Sequence, residues 1–499
     1  MFKEITMRDG RLMLILVLSA LGLWMVGCGG SDVAVPTTGR LEGTVYQSAD
    51  GTRLSITRDG SQPVSGSAHI QVQGTALQIT TSSSGYFSID GIPAGARRVL
   101  ISRQGLPTLL VDFVIHPGAT TPLANGQITL LTRQWTVLVF LNADNDLETF
   151  GVQDVNEMER VPDSDEVTIA VQMDRTPGWD TTNDNWTGTR RLQIRHDDDP
   201  LLITSPVLED LGEVDMGQPE ALRDFIAWGQ GRYPAAHYLL VMWNHGSGWR
   251  SRALTGMTTR GVSFDDSSGT FIKTVDLGAA LTSSAPVDMV AFDASLMQML
   301  EIAYQIRQTC SYVVGSEESP PGAGYAYHTW LGPLVNNPHL SAQALGETMA
   351  RETLGYYGAT SNITHSVLAT AELPGLVQTL DALAGRLIAT GNRYQGEIAT
   401  ARETAEHYAY LEYKDLAHYC DLLNAQVEDP GVRQAVGDVK AALGRAVVAN
   451  YHGTEHPNSA GVSIFLPTPT AYARLASLYT PLALSQATRW DDWLAQQPQ

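Results

Sequence analysis

Between residues 134 and 316 the chain switches repeatedly between two apolar patterns. The runs "QWTVLVFLNAD", "EVTIAVQMD", "HYLLVMWN", "VDMVAFD" and "SYVVGS" are apolar without alternation. Such runs read as strands buried on both faces. Between them "LETFGVQDVNEMERV", "PEALRDFIAWGQGRY" and "LMQMLEIAYQIR" carry helical spacing; in the second, Leu222, Phe225, Ile226 and Gly229 share one face. Strands alternating with helices imply a mostly parallel sheet with right-handed crossovers, sandwiched by helices. After about residue 340 the pattern is largely helical, including "EIATARETAEHYAYLEYKDLAHYCDLLNAQV" and "GVRQAVGDVKAALGRAVVANY". "SAGVSIFLP" reads as one more strand, ended by Pro467. The fold class expected is α/β.

Residues 40–131 differ. "RLEGTVYQ", "AHIQVQGTALQITTS", "GYFSIDGIPAG" and "RRVLISR" are short alternating or β-branched runs separated by Gly, Ser and Pro. They predict a small all-β sandwich ahead of the α/β domain, which takes residues 132–499. The sandwich carries no catalytic spacing and resembles the carboxypeptidase-regulatory-like module; a spacer role is expected. Ahead of it, Lys3, Arg8 and Arg11 precede "LMLILVLSALGLWMVG" and Cys28. A basic start, a short apolar run and small residues near a cut site describe an export signal over residues 1–27. "MVGC" resembles the bacterial lipoprotein signal, which makes Cys28 the lipid-attachment residue and residues 28–39 a tether. The expectation is an extracytoplasmic protein anchored to a membrane, in the periplasm or at the cell surface.

Composition narrows the function. A formal net charge of −21 argues against nucleic acid as a partner. Besides Cys28, only Cys310 and Cys420 occur; one disulfide is possible but their spacing predicts nothing about proximity, no Cys and His cluster has zinc spacing, and Cys310 is expected to be a buried small hydrophobe.

Three strand ends carry polar groups: His245 in "WNHGSGW", Asp293 and Ser295 in "FDAS", and Glu317 and Glu318 in "GSEESPPGAGY". Sequential strands of such sheets are usually neighbours, and ligands bind beyond their carboxyl ends. A histidine on a glycine-flanked turn suits general acid/base work, and Gly246 is a candidate for stabilising an oxyanion through its backbone. The plain structural readings are a satisfied turn histidine, a helix N-cap at Ser295, a loop-capping carboxylate at Asp293, and one solvated and one structural acid at Glu317 and Glu318. "NADNDLE", with Asp144, Asp146 and Glu148, offers hard oxygen ligands for calcium. Its spacing is not that of an EF-hand, and helix-start capping competes, so the expectation is neither metal nor cofactor.

The blocks "WTVLVFLNADNDLE", "DVNEMERV", "DFIAWGQGRYPAAHYLLVMWNHGSGW", "VAFDASLMQMLEIAYQIR" and "YVVGSEESPPGAGYAY" resemble, in order, the clostripain family of cysteine peptidases (peptidase family C11), relatives of the caspases. The resemblance implies that His245 is catalytic, that Ser295 stands where the family's nucleophilic cysteine is expected, and that Asp293 selects Arg or Lys in the substrate pocket. A serine hydroxyl needs a hydrogen-bonded base, whereas a thiol near pKa 8.5 is nucleophilic with less help. The first reading is therefore a catalytically silent homologue that binds peptides with basic residues. The alternatives are an active endopeptidase using Ser295 with His245, and a purely structural surface protein.

Overall fold

In the computed structural model, residues 37–497 are described, apart from 48–53, 57–61, 65–66, 74, 76, 104–105, 132, 250–252, 255–256, 259–260 and 283–285. The export signal and Cys28 lie outside the described residues. No described helix is long and apolar enough to cross a membrane.

Nine strands form the central sheet: β1 (Trp135–Ala143), β2 (Val167–Arg175), β3 (Gly188–Gln193), β4 (Val207–Gly212), β5 (His237–Trp243), β6 (Met289–Asp293), β7 (Tyr312–Ser316), β8 (Thr364–Ala369) and β9 (Val447–His452). Their order is β4-β3-β2-β1-β5-β6-β7-β8-β9. The middle five are parallel, and antiparallel pairs close both edges. Every residue of β1 and β2 is buried, as expected of runs without alternation.

The period of two still sorts the side chains. Val137, Val139 and Leu141 face the layer containing α1 (Glu148–Glu159), while Leu138 and Phe140 face the layer containing α2 (Pro219–Arg232). In α2 the buried residues include Leu222, Phe225, Ile226 and Gly229, the face expected from their spacing.

The fold departs from the expectation in several places. The hairpin β3–β4 and strands β8 and β9 were not anticipated. Residues 395–426 are two helices, Gln395–Thr404 and Leu416–Gln426, separated by the strand Tyr413–Asp415. "SAGVSIFLP" contains the strand expected of it, Ser463–Phe465, which pairs with Tyr413–Asp415. The helix after Ser295, α3, spans only Leu300–Ile306.

Ahead of the sheet, strands between Thr38 and Leu131 enclose a core of their own that includes Leu41, Ile70, Val99 and Phe113. They contact the start of β5: the Gln73 side-chain amide donates to the Ala236 carbonyl (2.8 Å) and Arg98 to the Tyr238 hydroxyl (3.0 Å). That is the amino end of the parallel strands, opposite the cleft described next.

Candidate functional site

The carboxyl ends of β5 and β6 frame a cleft of about 450 Å³. His245, Gly246, Asp293 and Ser295 all line it, so the sheet brings together four residues that the sequence singled out. Strand adjacency does this: β5 pairs with β6 from Leu239–Met289 to Trp243–Asp293. Asn244 pins the exit of β5, with its backbone N–H on the Asp293 carbonyl (3.3 Å) and its side-chain amide on the Asn142 carbonyl (2.6 Å).

The turn carrying His245 lies directly on the serine loop. A Cβ at Gly246 would collide with the carbonyl oxygen of Ser295, so only glycine lets the two backbones approach this closely. His245 Nε2 is 2.5 Å from Asp146 Oδ1. Among the described residues no hydrogen bond joins His245 to Ser295, and the Ser295 hydroxyl has no partner.

Ser295 is not a helix N-cap. Residues 294–299 form an irregular loop, α3 begins at Leu300, and Met299 occupies the cap position. The loop is sewn elsewhere: Leu296 N–H donates to the Glu318 carbonyl (3.2 Å) and Gln298 N–H to the Ser316 carbonyl (3.0 Å). Gln298 also reaches inward to the Ser366 hydroxyl (2.8 Å). Leu296 is held at φ 65°, a left-handed conformation costing a branched residue about 1–2 kcal/mol. The strain sits one residue beyond the side chain that faces the cleft.

Asp293 is only 6% exposed. It accepts from the Tyr325 N–H (3.1 Å) and the Tyr327 hydroxyl (3.0 Å), and a Cβ at Gly324 would strike its carboxylate. Burial pushes its pKa up to about 7, opposed by those two donors and reinforced by Glu157. Behind it Asp154, fully buried, accepts from the Trp243 indole N–H (2.6 Å). Burial, then the nearby Asp293, raises Asp154 well above the carboxylate range. The cleft is thus lined by one buried carboxyl group, Asp293, with a second, Asp154, behind it, and neither has a basic partner among the described residues.

Glu317 and Glu318 are both buried, so the expectation of one solvated acid fails. Glu318 accepts from the N–H of Ala409, on the loop that walls the cleft (3.2 Å), and pairs with His456 (3.4 Å). In "NADNDLE" the three acids separate. Asp146 goes to His245, and Glu148 to the buried Arg175 (2.7 Å). Neither caps α1, whose first N–H groups receive no side-chain cap. Asp144 instead joins Asp174, Glu213 and Asp265 beside the cleft. Burial lifts Asp174 to about 8, reinforced by Glu213. Cys310 is a buried free thiol, as expected, and so is Cys420, so the two form no disulfide.

A histidine turn and a serine loop side by side over the ends of parallel strands, with a sunken carboxyl group between them, define a caspase-like peptidase fold. The clostripain family model matches residues 139–496, and the chain belongs to that family. Clostripain of Hathewaya histolytica is 29% identical over 213 residues, covering 38% of this chain and 40% of clostripain. Two solved structures share the fold. One is an inactive zymogen C11 protease from Parabacteroides distasonis: 21% identity, TM-score 0.55, covering 72% of this chain and 99% of that one. The other is a secreted C11 cysteine protease from Bacteroides thetaiotaomicron in complex with an irreversible peptide inhibitor: 20% identity, TM-score 0.51, covering 70% and 99%.

Asp146, Asp154 and Tyr327 were missed as parts of the site. Asp146 lies 99 residues from His245 in sequence, and its position at a strand's carboxyl end is the one signal that could have found it.

Proposed function

We propose that this chain is an extracytoplasmic clostripain-family protein, anchored through lipid on Cys28, that binds peptides bearing Arg or Lys and does not cleave them. One observation carries the reading: the Ser295 hydroxyl faces the cleft without a base, while His245 is hydrogen-bonded to Asp146. An alcohol is a competent nucleophile only when a base removes its proton. The lining supports the basic preference, because a guanidinium entering the cleft meets the Asp293 carboxyl group, which has no basic partner among the described residues. Asp293 is the specificity acid in this reading, and Gly246 the oxyanion candidate.

The test is hydrolysis of arginyl and lysyl amides by the native chain and by Ser295→Cys. The native chain is expected to be silent and the thiol variant to turn over, with His245→Ala in that background removing the gain. Hydrolysis by the native chain that disappears in Ser295→Ala would establish a serine-using peptidase instead.

A further inference from the structure

We propose that a cavity at the junction of the β-sandwich and the α/β domain binds a phosphate monoester carried on an apolar group. The cavity measures about 610 Å³. Both parts of the chain build it: Thr38, Thr75 and Arg97 come from the sandwich, and Leu281, Pro286 and Arg307 from the α/β domain. Pro286 precedes β6 and Arg307 precedes β7, so the cavity lies at the amino end of the parallel strands, away from the cleft.

Two guanidinium groups line the cavity, and among the described residues no carboxylate does, in a chain whose net charge is −21. Arg97 donates through Nη1 to the Ala96 carbonyl (2.7 Å) and through Nη2 to the Ala94 carbonyl (2.8 Å). Its Nε is buried and meets no acceptor. Burial lowers the Arg97 pKa, and no opposite charge offsets that shift. Arg307, at the end of α3, lies over the Tyr304 ring (3.7 Å) and places one N–H on the Tyr304 carbonyl (2.5 Å). Its other N–H groups have no acceptor among the described residues. Arg307 also lines an adjoining cavity of about 380 Å³, which again has no carboxylate in its lining. A donor withdrawn from water without an acceptor costs about 1–3 kcal/mol, more when it is charged. An anion supplies the acceptors.

The donors select the anion. One guanidinium satisfies a carboxylate through two parallel hydrogen bonds. Two guanidinium groups on one cavity match a group with more oxygens and more charge. A phosphate monoester brings three acceptor oxygens and a charge of about −1.5 to −2 at pH 7. Thr38 adds a hydroxyl to the lining. Inorganic phosphate would fill only a small part of the space, and Leu281, Pro93 and Pro286 offer the remainder apolar contact. The ester group is therefore apolar. A membrane lipid headgroup and a soluble phosphate ester share this chemistry, and the probes below tell them apart. Either would bridge the two parts of the chain and give the sandwich a role beyond that of a spacer. The site is independent of whether Ser295 is reactive, so its test reads no hydrolysis.

The experiment is calorimetric titration of the chain with phenyl phosphate, dihexanoyl phosphatidic acid, inorganic phosphate and benzoate, alongside thermal unfolding. Stoichiometric binding of an ester that raises Tm is expected, at least about tenfold tighter than inorganic phosphate or benzoate. Tighter binding of the phosphatidic acid supports the site with a lipid as its source, and tighter binding of phenyl phosphate supports it with a soluble ester. Arg97→Gln and Arg307→Gln should each weaken ester binding about tenfold or more. Thr38→Glu, at an exposed position, should fold normally and abolish binding by placing a carboxylate among the donors. A native chain that ignores both esters at millimolar concentration overturns the site, as does ester binding untouched in Thr38→Glu. Benzoate bound as tightly as phenyl phosphate overturns the phosphate assignment, and inorganic phosphate bound as tightly as the esters overturns the apolar carrier.

Discussion

Replacing Asp293 by Asn removes a buried charge while keeping the shape of the side chain and an acceptor for the Tyr325 N–H and the Tyr327 hydroxyl. In the native chain burial raises the Asp293 pKa from 3.8 to about 7, a difference of roughly 4 kcal/mol. The sign follows from which state holds the proton. Between about pH 4 and 7 the folded chain keeps a proton that the unfolded chain has released, so stability falls as pH rises through that window. It is fully present below about pH 4 and lost above about pH 7. The Asn variant has no such proton to release. It should match the native chain at pH 4 and exceed it at pH 8, with roughly 4 kcal/mol as the upper bound. Binding has the opposite slope, because a guanidinium pairs with the ionised carboxyl group. Affinity for an arginyl peptide should rise about tenfold per pH unit below 7, about a hundredfold from pH 5 to 7, and then level off. Fluorescence anisotropy with an arginyl peptide and its citrulline counterpart reads both effects. In Asp293→Asn the profile should be flat and the two peptides should bind alike. A native affinity constant from pH 5 to 8, or an Asn variant that still prefers arginine, refutes the assignment of Asp293 to the pocket.

Gly246→Ala forces a methyl group into the Ser295 carbonyl, and overpacking of this kind costs about 1–3 kcal/mol. Urea unfolding should show that loss, together with loss of peptide binding, since the clash lies in the cleft wall. Glu301 is buried on α3, accepting from the Phe465 N–H (2.9 Å) and the Tyr479 hydroxyl (2.8 Å), and burial pushes its pKa to about 7. Glu301→Gln should therefore flatten a fall in stability of roughly 3 kcal/mol between about pH 4.5 and 7, read as urea midpoints at pH 5 and 8. In the Ser295→Cys background, Asp146→Ala should lower kcat and leave KM unchanged, because it frees the His245 ring without touching the pocket floor. An unchanged kcat would make the Asp146 contact incidental.

The parallel core was legible because burial on both faces leaves a distinct trace: β1, β2, β5, β6 and β7 are almost uninterrupted apolar runs. Edge elements leave no such trace. In β3, Arg190 and Arg191 sit over Trp186 and Trp228 and pair with Asp210 and Glu209 on β4, so a hairpin held by cations on rings and by ion pairs reads as a polar loop. β8 hides for the reverse reason. Its Thr364, His365 and Ser366 are buried, and Ser366 is hydrogen-bonded to Gln298. Polar side chains satisfied inside a core mimic surface. The same inward turn of Gln298 shortened α3 and left Ser295 uncapped. Glu317 and Glu318 misled for the same cause, since side-chain type announces solvent and their tertiary partners override it. Of the site, the residues borne on adjacent strand ends were recoverable, and those reaching in from α1 and from residues 324–327 were not.

The backbone of the serine loop does not depend on what Ser295 carries. Leu296 is held left-handed by its bond to the Glu318 carbonyl, Gln298 is anchored on Ser366, and Glu301 is gripped by the Phe465 N–H and the Tyr479 hydroxyl. None of these contacts uses the Ser295 side chain, so a thiol there would be presented in the same place as the hydroxyl. What separates the two atoms is their need for a base. His245 is turned toward Asp146, which serves a reaction in which the imidazole meets a leaving group and the nucleophile is already partly ionised. It does not serve an alcohol, whose proton must be removed in contact. For Ser295 to act as a nucleophile, His245 would have to give up the Asp146 hydrogen bond and swing onto the hydroxyl. In the proposed reading, the hydrogen bond that holds His245 on Asp146 therefore works against cleavage by oxygen.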